Sequence, residues 1–72
     1  MIDFKKIIAK TERTGIDVIN LAKRVRDRSN TPLNKIILGI YGLTPLGIDD
    51  ADYISEELNL SNREYEEIFF AE

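Results

Sequence analysis

Helical spacing of apolar residues recurs in five stretches of this 72-residue chain, and no stretch alternates apolar and polar residues for long. A helix-start signal precedes each stretch. These signals are Asp3; Thr14 with Asp17 as its capping-box partner; Thr31 followed by Pro32; the segment 47–49; and Ser61 with Glu64. The sequence therefore predicts an all-α fold, a compact bundle of five short helices with short connections.

Polar and glycine residues predict where the helices end. The segment 26–30, RDRSN, has no apolar residue and is interpreted as the connection between helices 2 and 3. Gly42 and Asn59 are expected to end helices 3 and 4. Gly39 falls inside helix 3, where glycine costs about 0.5–1 kcal/mol relative to alanine. We therefore expect the backbone of helix 2 to approach Gly39 closely.

A chain this short is expected to form one domain, residues 1–72, because it buries only about 60% of its unfolded surface and can build only one small core. The predicted core takes residues from every helix: Phe4, Ile7, Val18, Leu21, Ala22, Val25, Ile36, Ile40, Ile48, Ile54, Leu58, Ile68 and Phe69. Phe70 should point away from this core, to solvent or to another chain, because Phe69 fits the core stripe.

The residue types that the chain lacks argue against several functions. It has no cysteine and no histidine, which leaves no disulfide, no thiolate metal site and no histidine base. It also has no Gly-rich phosphate loop and no GxSxG motif, so we expect neither catalysis nor a metal or cofactor. The longest apolar run, residues 36–41, is far shorter than the roughly 20 residues of a membrane span. The start, MIDFKKIIAK, does not resemble a signal peptide, so the expected location is cytoplasmic.

Charge is distributed unevenly along the chain. Residues 1–36 contain nine basic and four acidic side chains, a balance of +5, whereas residues 37–72 contain one basic and nine acidic side chains, a balance of -8. The basic cluster Lys23, Arg24, Arg26 and Arg28 lies at the end of helix 2 and in the turn after it, and Asp49 and Asp50 open helix 4. Carboxylates near the N-terminus of a helix interact favourably with the helix dipole, and this interaction alone could explain the two aspartates at that position.

Helix 3 has more apolar residues than one buried face can hold. They are Leu33, Ile36, Ile37, Leu38, Ile40 and Tyr41. Two interpretations remain open: a central helix of a bundle can be apolar nearly all round, or part of the helix is exposed and binds a partner.

Five short helices, with GIDVINLAKRV and NKIILGIYG as the second and third, resemble the helix-turn-helix domains of the Cro/phage-repressor family. LTPLGIDDADYISEELNLS and EYEEIFF are similar to the last helices of small phage regulators. The predicted connection is longer than the family's tight turn by roughly four residues. In addition, the family's base-reading positions are occupied here by Leu33, Asn34, Ile37, Leu38 and Tyr41.

Within this family the chain resembles the antirepressors of lactococcal temperate phages, which bind the lysogenic repressor and take part in the choice between lysis and lysogeny. The resemblance implies that the partner is the N-terminal DNA-binding domain of that repressor. Its expected binding residues are Leu33, Asn34, Ile37, Leu38, Tyr41, Asp49 and Asp50. The alternative is a Cro-like DNA-binding repressor that contacts phosphates through Lys23, Arg24, Arg26 and Arg28. These cations could also contact DNA jointly with the repressor, and we expect binding to DNA alone to be weak.

Overall fold

The computed structural model describes residues 2–70 and contains only helices in this part of the chain. The helices are α1 (Phe4–Thr14), α2 (Val18–Ser29), α3 (Leu33–Ile40), α4 (Ile48–Glu57) and α5 (Asn62–Phe69). The predicted all-α fold of five short helices is thus confirmed. Glu72, which was counted with the acidic half, lies outside the described residues.

Two of the predicted helix starts have the expected capping hydrogen bonds. The Asp3 carboxylate accepts a hydrogen bond from the backbone N–H of Lys6 at 3.4 Å. At α5 the Ser61 hydroxyl accepts from the N–H of Glu64 at 3.1 Å, and the Glu64 carboxylate accepts from the N–H of Ser61 at 3.0 Å. This reciprocal pair is the predicted capping box.

The predicted start of helix 2 at Thr14 is wrong. Thr14 is the last residue of α1, and its hydroxyl donates to the carbonyl of Lys10 at 3.0 Å. Gly15 follows in the left-handed conformation, with φ of 76°. Asp17 is itself the N-cap of α2, since its carboxylate accepts from the N–H of Asn20 at 2.8 Å. A threonine can therefore end a helix as readily as begin one.

The interpretation of 26–30 as a connection is also wrong. α2 continues to Ser29, and Asn30 ends it in the left-handed conformation with φ of 62°. Only residues 30–32 connect α2 to α3, so the connection is three residues long and the predicted extra length disappears. The segment lacks apolar residues because it is the exposed end of a helix.

α3 begins one residue later than the Thr31-Pro32 pair suggested. Pro32 occupies the N-cap position without a side-chain cap, and the helix ends at Ile40, shortly before Gly42 with its φ of 75°. We expected the backbone of α2 to approach Gly39, but the closest atoms belong to the Leu46 side chain. A Cβ at position 39 would collide with this side chain. Leu46 belongs to the loop between α3 and α4.

The core lies between α2 and the helices packed on it. α2 contacts α3, α4 and α1, and α1 also contacts α5. The buried apolar side chains are Ile7, Leu21, Ala22, Val25, Ile36, Ile40, Ala51, Ile54, Leu58 and Ile68. Val18 and Phe69 are half-buried and pack against this core. Phe4 and Ile48 were predicted in the core but are 39% and 78% exposed, because each lies in the first turn of its helix and extends past the core.

None of the helices in residues 2–70 combines the length and the apolar character needed to cross a membrane.

Candidate functional site

The outward side of α3 is an exposed apolar surface. At 100° per residue, the four candidates within this helix, Leu33, Asn34, Ile37 and Leu38, fall within an arc of about 140°, and Tyr41 follows as the C-cap. Leu38 and Tyr41 are 37% and 40% exposed, and Asn34 is exposed beside them. On the opposite side Ile36 and Ile40 are fully buried. The interpretation that every apolar residue of this helix belongs to the core is therefore excluded.

Leu33 and Ile37, the other two candidates on α3, are half-buried and pack against the core. Less of their surface is therefore accessible to a partner than that of Leu38 and Tyr41.

Phe4 adds an aromatic ring to this surface. Its ring centroid lies 6.2 Å from that of Tyr41, with the two planes tilted by 53°. Tilted aromatic pairs at this separation are favourable. We call Phe4, Leu38 and Tyr41 the outer apolar face. The sequence offered no sign of the long-range pairing that brings Phe4 to α3, and Phe4 was consequently expected in the core.

Asp49 and Asp50 have different environments although they are adjacent. Asp49 is exposed in the first turn of α4, whereas Asp50 is only 8% exposed. The Thr31 hydroxyl, 3.1 Å from both carboxylate oxygens of Asp50, donates a hydrogen bond to this carboxylate. Asp50 thereby fastens the start of α4 to the α2–α3 connection. Of these two carboxylates, only that of Asp49 is accessible to a partner.

The basic end of α2 is paired with acidic residues of α4. Arg28 donates hydrogen bonds to Glu56 and, at 3.3 Å, to Glu57, while Arg24 reaches Glu57 at 3.5 Å. The guanidinium carbon of Arg28 also lies 4.4 Å from the centroid of the Tyr53 ring. The hydrogen bond to Glu56 is the main reason why the pKa of Arg28 is raised above its ordinary value. We call Arg24, Arg28, Glu56 and Glu57 the charged helix end.

The other two basic candidates lie outside this arrangement. Arg26 contacts Asp27, its neighbour in the sequence, at 3.4 Å. Lys23 is exposed and forms no ion pair within residues 2–70. The four cations are therefore not equivalent, because Arg24 and Arg28 have carboxylate partners on α4 and Lys23 and Arg26 do not.

A second ion pair joins the basic and acidic parts of the chain away from α2. The ammonium of Lys10 in α1 lies 2.8 Å from the Glu64 carboxylate in α5. The hydrogen bond from Lys10, followed by the one from the backbone N–H of Ser61, lowers the pKa of Glu64 to about 2. The charge asymmetry of the sequence thus produces pairing within the fold.

The predicted acidic and apolar residues do not share one cavity. Asp49 and Asp50 line an open cleft of about 360 Å³ together with Arg28 and Tyr53, and neither Leu38 nor Tyr41 borders it. In residues 2–70 there is also no group of three or more potential metal-ligating side chains placed to hold an ion.

Comparisons of the chain with protein-family models, with curated proteins and with solved structures found no match. Any functional assignment consequently depends on the chain's own residues and on the resemblance described above.

Proposed function

We propose that the chain is a phage antirepressor. It binds the N-terminal DNA-binding domain of the lysogenic repressor through the outer apolar face and modulates the repressor's operator binding in the switch between lysis and lysogeny. The observation that carries this proposal is the exposure of Leu38 and Tyr41 on the side of α3 where a DNA reader of the resembling family has polar side chains.

The α2–α3 arrangement supports a helix-turn-helix-like assignment of these two helices. They pack on each other, and three residues connect them. A connection of this length is typical of the motif, in which the second helix faces the ligand. The outward side of α3 is then the docking side of the domain.

The chemistry of that side favours protein over DNA. Leucine can touch a thymine methyl group, but it offers no hydrogen bond to guanine or adenine and no charge to a phosphate. A protein partner, by contrast, is bound well by an apolar centre that contains aromatic rings and has a polar rim. Phe4 and Tyr41 supply the rings, and Asn34 supplies a polar group beside them.

Charge supports the same choice. The surface of a DNA-binding domain that meets phosphates is rich in lysine and arginine, and it is attracted by carboxylates. Asp49 is an exposed carboxylate of this kind, and the chain has a net charge of -3. Arg24 and Arg28, which could have contacted phosphates, are bound to Glu56 and Glu57 instead.

A Cro-like DNA-binding repressor is the second candidate, and the three-residue α2–α3 connection favours it as well. It would use Lys23 and Arg26, which carboxylates of α4 do not bind. The two functions make opposite demands on the protein alone: the repressor binds its operator, and the antirepressor needs its partner.

The test measures both activities with the same preparations. Calorimetry follows binding of the chain to the repressor's N-terminal DNA-binding domain, and mobility-shift assays follow operator DNA with the chain, with the domain and with both. We expect binding to the domain, altered operator binding by the mixture, and no specific complex with the chain alone. A footprint by the chain alone at the roughly 10⁻⁸–10⁻¹¹ M typical of specific operators would instead support the Cro-like function.

A further inference from the structure

A groove opens beside Tyr41, between α1 and the start of α2. Its volume is about 360 Å³, and its apolar lining comes from Ile8, Ile16 and Val18. Glu12 and Asp17 contribute two carboxylates to the same lining. We call this the α1–α2 groove. None of its residues except Tyr41 was among the sequence-based candidates.

The groove is continuous with the outer apolar face. Phe4, Ile8 and Glu12 are spaced four residues apart, so they form a single row along α1. Phe4 at one end of this row contacts Tyr41, and Ile8 and Glu12 line the groove with Tyr41. A partner seated on Tyr41 is therefore adjacent to the groove.

Core packing does not account for the two apolar side chains of this row, Phe4 and Ile8. Ile8 is half-buried and lies outside the core and outside the side chains packed directly on it. Phe4 is likewise outside that group and is 39% exposed. Exposed apolar surface that is continuous over several residues marks interaction sites more often than isolated apolar side chains do.

The carboxylates of the groove have no intramolecular cation. Within residues 2–70, neither Glu12 nor Asp17 takes part in an ion pair. In this part of the chain the Asp17 carboxylate accepts hydrogen bonds from the backbone and side chain of Asn20, at 2.8 and 3.2 Å. Glu56, Glu57 and Glu64 are by contrast all paired with arginine or lysine. The groove thus combines an apolar lining with two carboxylates that have no lysine or arginine partner within residues 2–70.

We infer that the α1–α2 groove is a second part of the docking surface, and that it binds an apolar side chain of the repressor's DNA-binding domain flanked by a lysine or arginine. The apolar side chain packs on Ile8 and Val18, and the cation approaches Glu12. This inference rests on the proposed function for the identity of the partner. Its new content is the site and the chemistry of the segment that it recognises.

The test uses two variants of the groove and two matched controls. Ile8→Ala removes apolar contact in the groove, and Phe70→Ala truncates an apolar side chain that is 68% exposed after α5 and lines neither the groove nor the cleft at Asp49. Glu12→Lys reverses one groove charge, and Glu66→Lys makes the same change of net charge on an exposed residue of α5. Calorimetry with the repressor's DNA-binding domain gives the affinity, and thermal melts show whether each variant is folded.

We expect Ile8→Ala to weaken binding about tenfold and Glu12→Lys about fivefold, the latter more strongly at low salt. The two controls should stay close to the unmodified protein. In addition, the methyl NMR signals of Ile8, Ile16 and Val18 should shift when the unmodified protein binds the domain. This measurement needs no variant and remains decisive if Ile8→Ala unfolds.

Each remaining outcome overturns a different statement. If the domain binds but the groove methyl signals do not move and Glu12→Lys behaves like Glu66→Lys, the groove inference is wrong while the proposed function stands. If the unmodified protein does not bind the domain at all, the proposed function fails, and the groove inference fails with it.

Discussion

The outward side of α3 and the basic end of α2 flank the same three-residue connection, but the fold treats their side chains differently. At the charged helix end, Arg24 and Arg28 have carboxylate partners on α4. On the outer apolar face, Leu38 and Tyr41 remain exposed, and Phe4, which contacts the ring of Tyr41, is itself exposed. Two arginines of the first region have partners within the molecule, whereas the apolar side chains of the second region stay partly exposed to solvent.

In a helix-turn-helix protein that reads DNA, both regions would meet the duplex, one at phosphates and the other at bases. Here Arg24 and Arg28 of the first region have carboxylate partners on α4, and Leu38 of the second offers no hydrogen bond to a base edge. The difference is that two arginines of the basic region already have carboxylate partners, whereas the exposed side chains of the apolar region have apolar surface that a partner would bury.

The largest effect should come from Leu38→Lys on the outer apolar face. Placing a charge at the centre of an apolar interface should weaken binding to the repressor's DNA-binding domain by about 2 kcal/mol or more. The melting temperature should change little, because Leu38 is already 37% exposed. Calorimetry and thermal melts measure the two quantities. Tyr41→Ala should weaken binding similarly, with some loss of stability because it also removes the contact with Phe4.

Phe70→Lys is the matched control for that change. Phe70 is 68% exposed, as its predicted position off the core stripe required, and it contacts Tyr65 of α5 with centroids 5.9 Å apart. If Phe70→Lys lowers the affinity as much as Leu38→Lys, exposed apolar area in general drives binding and the outer apolar face has no special role. If Leu38→Lys unfolds the protein, Leu38 belongs to the core and the binding site lies elsewhere.

The second effect concerns the aspartates beside the connection. Asp50→Ala removes the carboxylate that accepts from the Thr31 hydroxyl, and it should lower the free energy of unfolding by about 1–3 kcal/mol. Asp49→Ala is the matched control because it removes the same charge from the same turn of α4, where the dipole contributes about 0.3–1 kcal/mol. Urea unfolding measures both. Equal losses would mean that the Thr31 contact adds no stability.

The same pair separates folding from association. Asp49→Lys should mainly slow the association with the repressor's DNA-binding domain, and more so at low salt, because an exposed charge steers the encounter. Stopped-flow mixing at two salt concentrations measures this rate. A salt-independent rate, or an effect confined to dissociation, would contradict the steering role of Asp49.

Local signals were sufficient to predict five helices but not all of their limits. The capping box of Ser61 and Glu64 depends only on residues three apart, and it is present as expected. The segment 26–30 was misinterpreted because the partners of Arg28, which are Glu56 and Glu57, lie 28 and 29 positions away in α4. Periodicity identified α2 only as far as its apolar residues continue.

The candidate site was predicted in part for the same reason. Helical spacing alone places Leu38 and Tyr41 off the buried stripe of α3, and both are exposed. Phe4 and Ile48 also fit helical stripes, but a first-turn residue can extend beyond the core, and periodicity cannot show this. The α1–α2 groove had a visible signal, the four-residue spacing of Phe4, Ile8 and Glu12, whose meaning depends on the position of Tyr41 in space.

The third effect tests whether the charged helix end is closed to DNA. Changing both Glu56→Gln and Glu57→Gln should release Arg24 and Arg28, so that non-specific binding to duplex DNA becomes stronger and more dependent on salt. Each additional phosphate that the released arginines neutralise should steepen the slope of log K against log salt by about 0.9. Fluorescence anisotropy over a salt series measures this slope.

The control for that variant changes Glu12→Gln and Glu66→Gln, two exposed residues that form no ion pair within residues 2–70. It alters the net charge by the same amount but leaves Arg24, Arg28 and Arg63 paired. If both double variants bind DNA more tightly by the same factor, overall charge controls the binding, and the pairing at α2 does not mask these arginines.

The smallest effect should come from Lys10→Met, which removes the ion pair between α1 and α5. The pKa of Glu64 is about 2 in the folded protein and about 4.3 in an unfolded chain. Because the folded pKa is lowered, this pair stabilises the fold above about pH 4.3, and its contribution declines as the pH falls towards 2. Lys10→Met should therefore melt at a lower temperature than the unmodified protein at pH 7, and the difference should shrink between pH 4 and 2.

The control is Arg63→Met, which removes an exposed ion pair within α5 and should leave the melting temperature almost unchanged at any pH. If the melting temperature of Lys10→Met is lower by the same amount at every pH, the lysine stabilises the fold by packing. The contact between α1 and α5 would then not depend on charge, unlike the ion pairs of the charged helix end.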